Sequence, residues 1–253
     1  MKDGKPHGKG VLTYPSQHVY DGEWFEGRSH GRGTFFGTNQ LGAFRYDGTF
    51  LDDEMSGRGK FSWSNGDTFE GDWSHDMPNG SGIYKWKSNG AVYTGQMKDG
   101  KRHGKGTQTF SDGSKYDGEW RQDTKCGKGV ELFSNSNRYE GFWLRNVRHG
   151  PGLYQLHMSN LPPVKEEPQD TKLSKLLKRM SLKRVASAPA ELTSTKKTPP
   201  IQSGKFIEYI PYYQYWENGK RRENKELHAH DDPPSFEPPV EVALECGYSL
   251  EVK

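Results

Sequence analysis

Long apolar runs are missing from this chain, so no segment approaches the roughly 18 residues that a membrane-spanning helix needs. Its opening residues, MKDGKPHGKG, hold no hydrophobic signal core, and an intracellular protein without a spanning helix is expected. Aliphatic side chains are scarce: 30% of the 253 residues are apolar and mean hydropathy is -1.03. That is too little Leu, Ile and Val for a thick core, which excludes an ordinary two-layer globule throughout. Charge of one sign is not in excess either, since the net charge is only +3, so no nucleic-acid partner is indicated. Only two cysteines occur, Cys126 and Cys246, in neither a CxxC nor a zinc spacing. Two isolated thiols point to a reducing compartment and to no particular role. Also lacking are a Walker or Rossmann phosphate loop, G-x-S-x-G and HExxH. The chain is therefore expected not to be an enzyme, with no catalytic residue, no cofactor and no metal site.

What is abundant is glycine, at 31 residues, and aromatic side chains, at 13%. They recur together. YDGEW at 20, YDGTF at 46, FEGDW at 69, YTGQM at 93, YDGEW at 116 and YEGFW at 139 start 26, 23, 24, 23 and 23 residues apart. Each is followed by a G-x-G, at Gly31/Gly33, Gly57/Gly59, Gly80/Gly82, Gly104/Gly106, Gly127/Gly129 and Gly150/Gly152. Six full copies are present, and HGKGVLTY at 7–14 reads as the second half of another.

Each copy reads as a β-hairpin. Alternate residues of a strand share a face, so Tyr116, Gly118 and Trp120 point one way while Asp117 and Glu119 point the other. The second strands repeat the pattern in Gly59, Phe61, Trp63 and in Gly82, Tyr84, Trp86. One face thus carries rings laid beside bare glycines, and the opposite face is polar. Asn65-Gly66, Asn89-Gly90 and Asp112-Gly113, between copies, are read as the tight turns with positive φ. The expected fold class is all-β: an elongated, single-layer, twisted antiparallel sheet of tandem hairpins, on the order of 60 Å long at about 4.8 Å per strand, followed by a mostly irregular C-terminal tail.

These residues resemble the MORN (membrane occupation and recognition nexus) family, whose repeat runs Y-x-G-x-W, a polar turn, H-G-x-G and an aromatic-bearing strand. The resemblance covers about residues 4–157. His7, His30, His103 and His149 match the family's histidine, whereas Ser56, Asn79 and Cys126 replace it, so this position reads as a hydrogen-bonding turn or edge residue and not as a metal ladder. The resemblance implies a scaffold in cytoskeletal, ciliary, flagellar or axonemal assemblies, or at a membrane surface, and a cytoplasmic, cytoskeletal, ciliary or peripheral-membrane location. It does not imply catalysis.

Three regions follow: a repeat array at 1–158, a linker at 159–200, and an aromatic cap or partner-binding tail at 201–253. The candidate partner-binding face comprises Tyr20, Trp24, Tyr46, Phe69, Trp73, Trp86, Tyr93, Tyr116, Trp120, Tyr139 and Trp143. A single layer leaves such a face open to a protein partner, a cytoskeletal or axonemal one by the family resemblance, or to a second copy of the chain as a homodimer. Gln108 and Glu131 stand where other copies have aromatics and read as an exposed rim in preference to a polar contact point. Within the linker, TKLSKLLKRMSLKRVAS at 171–187 sets Leu173, Leu176, Leu177 and Met180 at helical spacing among Lys172, Lys175, Lys178, Arg179, Lys183 and Arg184. Such a segment suits an anionic membrane surface, an apolar groove in a partner, or the array's own rings. KRMS and KRVASAP make Ser181 and Ser187 phosphorylation candidates, and phosphate there would weaken attraction to an anionic bilayer. The aromatic-rich 204–223 reads as one irregular capping strand or a recognition segment, and the last thirty residues read as loosely ordered.

Overall fold

The structure, a computed structural model, describes residues 1–160, 209–226 and 237–248. Residues 1–157 and 209–253 form one compact unit. The remainder, 158–208, is a second unit of which only the short 3-10 turn Met158–Asn160 is described, so the basic segment 171–187 and both candidate serines lie outside the described residues.

In the first unit, β1 (Gly8–Thr13) is followed by the six hairpins that the repeats foretell. They are β2 (Val19–Phe25) with β3 (Arg28–Asn39), β4 (Gly42–Leu51) with β5 (Glu54–Trp63), β6 (Thr68–Ser74) with β7 (Met77–Lys85), β8 (Val92–Lys98) with β9 (Lys101–Thr109), β10 (Lys115–Arg121) with β11 (Thr124–Leu132), and β12 (Arg138–Leu144) with β13 (Val147–His157). A seventh hairpin, β14 (Tyr209–Glu217) with β15 (Lys220–Glu226), pairs onto β13. All fifteen strands lie in one antiparallel sheet in sequence order. The aromatic-rich C-terminal stretch therefore adds two strands instead of one. The described part of the tail also contains one short helix, α1 (Val240–Cys246), which closes on Gly247 at φ 82, whose N–H bonds Ala243 O.

Register explains the glycines. Gly22 stands opposite Gly33 within copy one, Gly33 opposite Gly48 across to copy two, and the same pairing continues to Gly141 opposite Gly152. One glycine from each of the first thirteen strands thus joins a bare row crossing the sheet, on which the tyrosines lie flat. A Cβ on Gly33 would fall 2.6 Å from the Tyr20 ring, and one on Gly129 would fall 2.5 Å from the Tyr116 ring. The first glycine of each G-x-G has a different reason, sitting in a bulge at positive φ, as at Gly127 (φ 73). Tryptophans follow in the same pattern: Trp24, Trp73 and Trp120 donate Nε1–H to the carbonyls of Gly10, Gly59 and Gly106 at 3.0, 3.1 and 2.9 Å. Edge-on ring pairs such as Tyr20–Trp24, 5.0 Å apart at 89°, each add about 0.5–1.5 kcal/mol beyond burial.

Burial of these phenols has a pH consequence. Desolvation pushes Tyr20 and Tyr46 up to about 12 and raises Tyr93, Tyr116 and Tyr139 further. An unfolded tyrosine loses its proton near 10, so the folded state holds protons that the unfolded state releases. This contribution is complete below pH 10 and disappears as pH rises through 12. We expect absorbance at 295 nm to show these tyrosines ionising together with loss of the β signal, not ahead of it.

The tight turns lie elsewhere than Asn-Gly and Asp-Gly suggest. Between copies, only Gly66, Gly90 and Gly113 of those pairs take positive φ, in wider loops. The two-residue turns with positive φ at both positions are inside the copies, at Glu26-Gly27, Asp52-Asp53, His75-Asp76, Asp99-Gly100, Gln122-Asp123 and Arg145-Asn146. Their second residues reach back one copy. Asp53 Oδ1 accepts Ser29 N–H at 2.7 Å, Asp76 Oδ1 accepts Met55 N–H at 2.8 Å, Asp123 Oδ1 accepts Arg102 N–H at 3.0 Å, and Asn146 Oδ1 accepts Lys125 N–H at 2.8 Å. Where the residue reached is proline, at Pro6 and Pro78, the turn carries glycine, Gly27 and Gly100, because there is no N–H to satisfy. Asp76→Ala should cost about 2–3 kcal/mol in urea unfolding, from the lost bond plus a non-glycine residue at φ 63. Asp76→Gly keeps the conformation and should cost about 1 kcal/mol less.

Candidate partner-docking face

Ten of the eleven ring-face residues named from the sequence are buried: Tyr20, Trp24, Tyr46, Phe69, Trp73, Tyr93, Tyr116, Trp120, Tyr139 and Trp143. They are the core of a sheet over which the described residues place no second layer on this side. Trp86 is the exception, being half-open. The rings that a partner can touch come instead mainly from the second strands and the inter-copy turns: Phe35, Phe61, Trp63, Tyr84 and Trp86 are packed on that core and partly exposed, and Phe44 of β4, also partly exposed, packs on Phe35 and Phe61. They form a chain of contacts: Phe44 stacks on Phe61 at 5.7 Å, Phe61 meets Trp63 at 4.6 Å, Trp63 meets Tyr84 at 5.3 Å, and Tyr84 meets Trp86 at 4.3 Å.

Beyond Trp86 the face changes character. Two positions after each two-residue turn stands Met55 in copy two and Pro78 in copy three, but Arg102, Lys125 and Arg148 in copies four to six. These three cations lie on rings: Arg102 is 4.2 Å from the Trp120 centroid, Lys125 is 4.6 Å from both Tyr116 and Trp143, and Arg148 is 4.5 Å from Tyr139. Their polar acceptors are the residues read from sequence as an exposed rim, and that reading is overturned. Gln108 is 2% exposed and takes an N–H from Arg102 at 3.2 Å. Glu131, with 14% of its side chain exposed, bridges Lys125 at 2.6 Å and Arg148 at 3.4 Å. A cation that replaces Met or Pro needs an acceptor, which for Arg102 and Lys125 sits further along the same strand and for Arg148 is Glu131 of the preceding copy. The repeat spacing shows both positions, yet only their substitution together reveals the pair.

Two further expectations meet the structure here. Cys126 and Cys246 are bonded to each other as a disulfide, against the reading of two separate thiols. Their separation of 120 residues is closed because α1 returns to β11 and β12, which spacing alone cannot show. Among the described residues no group of three or more His, Cys, Asp or Glu could hold a metal ion, and no helix is long and apolar enough to cross a membrane.

A sequential ladder of hairpins, each hiding its rings against a neighbour's backbone, defines a tandem β-hairpin repeat protein with one ring-bearing face. The chain belongs to the MORN repeat family, whose profile matches residues 1–19, 20–41, 46–68, 69–91, 93–115, 116–138 and 139–158. It is 32% identical over 109 residues to alsin of Rattus norvegicus and 31% identical over 109 residues to alsin of Homo sapiens, covering 41% of this chain and 7% of alsin. It is 42% identical over 43 residues to MORN repeat-containing protein 3 of Xenopus laevis, 17% of this chain and 18% of that protein. The chain thus spans a small part of the length of these relatives. MORN repeats are of a protein-interaction and membrane-binding type, and proteins built from them are in general non-catalytic adaptors.

Proposed function

We propose that this chain is a non-enzymatic adaptor that docks an extended or helical segment of a protein partner along its ring-bearing face, in a cytoskeletal or ciliary assembly. The observation that carries the reading is the division of that face. Open rings from Phe35 to Trp86 suit apolar anchors, and the cation row Arg102, Lys125, Arg148 suits acidic side chains. The cytoskeletal or ciliary setting comes from the family resemblance. A photo-crosslinking residue placed at Phe44, on the ring face, should trap a protein partner in cells. The same residue at Lys60, exposed on the opposite face, should not. Equal trapping at both positions, or none at Phe44, counts against the reading.

A second reading is favoured by the six cations of 171–187, which suit an anionic bilayer, with Ser181 and Ser187 as regulatory sites. Salt-sensitive binding to phosphatidylserine vesicles that survives deletion of 171–187 would remove it.

A further inference from the structure

The polar face of the sheet, opposite the rings, carries a structure that the adaptor reading does not use. Helix α1 packs there on β11 and β12. Its flanks span three strands: Pro239 lies against Gly150 of β13, and the Tyr248 hydroxyl lies against Gly127 of β11. Between them, on β12, stands Phe142, 2% exposed, where the other copies carry Glu23, Thr49, Asp72, Gln96 and Glu119. An apolar residue on the polar face is thus matched to an apolar helix contact through Val242 and Ala243, both buried. The one covalent tie is Cys126–Cys246, and Cys126 occupies the place held by His, Ser or Asn in other copies.

Without that bond the helix keeps only its short apolar contact through Val242 and Ala243 and a few polar ties. Seven residues are too few for a helix to persist alone, and its N-cap Pro239 supplies no side-chain hydrogen bond. Its other ties are polar: Arg145 Nε to Glu245 Oε1 at 2.6 Å, the Arg121 guanidinium to the Glu245 carbonyl, and His149 Nε2 near Glu241 at 3.8 Å. Most lie toward solvent, where ion pairs are weak.

The sheet beneath is provided for in both conditions. In copies one, three and four the residue after the Y-x-G glycine accepts a bulge N–H directly: Glu23 from Arg32 at 3.2 Å, Asp72 from Ser81 at 2.8 Å, Gln96 from Lys105 at 2.9 Å. In copy five the Tyr248 hydroxyl is inserted into this bond, donating to Glu119 Oε2 at 2.5 Å and accepting from Lys128 N–H at 3.0 Å. If the tail leaves, Glu119 can take the Lys128 N–H as its counterparts do. Two satisfied arrangements exist, and a single bond selects between them.

We propose that Cys126 and Cys246 form a thiol–disulfide switch that latches α1 over Phe142 and is opened by a low-molecular-weight thiol such as glutathione. A cleft of about 790 Å³ opens at Cys126, lined by Arg121, Arg145, Glu241 and Glu245 among others, and it gives a small thiol a path to the bond. Cys246 is partly exposed while Cys126 is buried, so the external thiolate attacks Cys246 Sγ. The protein S–S bond breaks, its electron pair leaves on Cys126 as thiolate, and a mixed disulfide forms on Cys246. A second external thiolate attacks the external sulfur of that mixed disulfide, releasing Cys246 as thiolate and the oxidised thiol dimer. The protein gains two electrons, the two external thiols lose them, and protons from solvent complete the cysteine thiols. The reverse sequence, with oxidised glutathione as oxidant, closes the latch.

The test uses the whole chain in glutathione buffers of graded ratio, with thiols trapped for mass spectrometry and backbone amides followed by hydrogen exchange. Disulfide loss and loss of protection over 240–248 should coincide, with exchange there rising at least tenfold and β2 to β9 unchanged. Cys246→Ser should show the open pattern in every buffer. Protection of 240–248 that persists after full reduction, or in Cys246→Ser, overturns the switch. Absence of the bond in oxidised protein overturns it as well.

Discussion

Gly71→Ala should destabilise the array by about 3 kcal/mol, near the upper end of what overpacking costs. The new Cβ would lie 2.5 Å from both Gly82 Cα and Ser81 O, and 2.8 Å from Phe69 Cζ. Two of these obstacles are backbone, so rotating the ring gives no relief and β6 must separate from β7. Gly113→Ala is the control: it sits at φ 82 with nothing within 4 Å, so its only penalty is the left-handed conformation, about 1–2 kcal/mol. Because each strand pairs only with its sequence neighbours, the damage should stay local. Hydrogen exchange should show β5 to β8 opening while β10 to β13 keep their protection. Uniform loss across the sheet would show that the copies do not act as nearest-neighbour units.

Glu131→Ala should cost about 2–4 kcal/mol in urea unfolding, because it leaves Lys125 and Arg148, 12% and 17% exposed at their side chains, without their shared carboxylate. The figure sits below that of a fully buried pair because the rings of Tyr116, Trp143 and Tyr139 still face the two cations. Copy two shows the apolar solution to the same geometry, Met55 with Phe61. The pair Lys125→Met with Glu131→Phe should therefore recover at least half of the loss, and Lys125→Met alone should not. Failure of the double variant to recover would mean that the cation row is held by more than its local partners.

Much of the fold is legible in the sequence because its two periods are independent. A spacing near 23 residues counts the hairpins, and alternation within each strand assigns the rings and glycines to one face. What stayed hidden has a common cause, namely bonds made to another part of the chain. His75-Asp76 does not look like a tight turn, since its positive φ is supported by a hydrogen bond to Met55 in the preceding copy. Gln108 and Glu131 look exposed until the cations beside them are placed. Tyr20 and Trp73 look like contact residues, whereas the neighbouring strands bury them and leave Phe44, Trp63 and Trp86 as the open set. Cys126 and Cys246 look unrelated until the chain turns back across the sheet.

The turns that reach back one copy also make the repeats a sequence of locks and keys. Gly27 and Gly100 answer Pro6 and Pro78, while Asp53, Asp76, Asp123 and Asn146 answer amide hydrogens. Moving the copy that carries Gly27 or Gly100 to another junction would set a bare turn against an orphaned amide, and moving an Asp turn beside Pro6 or Pro78 would set a carboxylate against a proline ring. An array that looks modular thus restricts which copies can follow one another, and duplication of a copy inside it is best tolerated where the new junction keeps a matching pair.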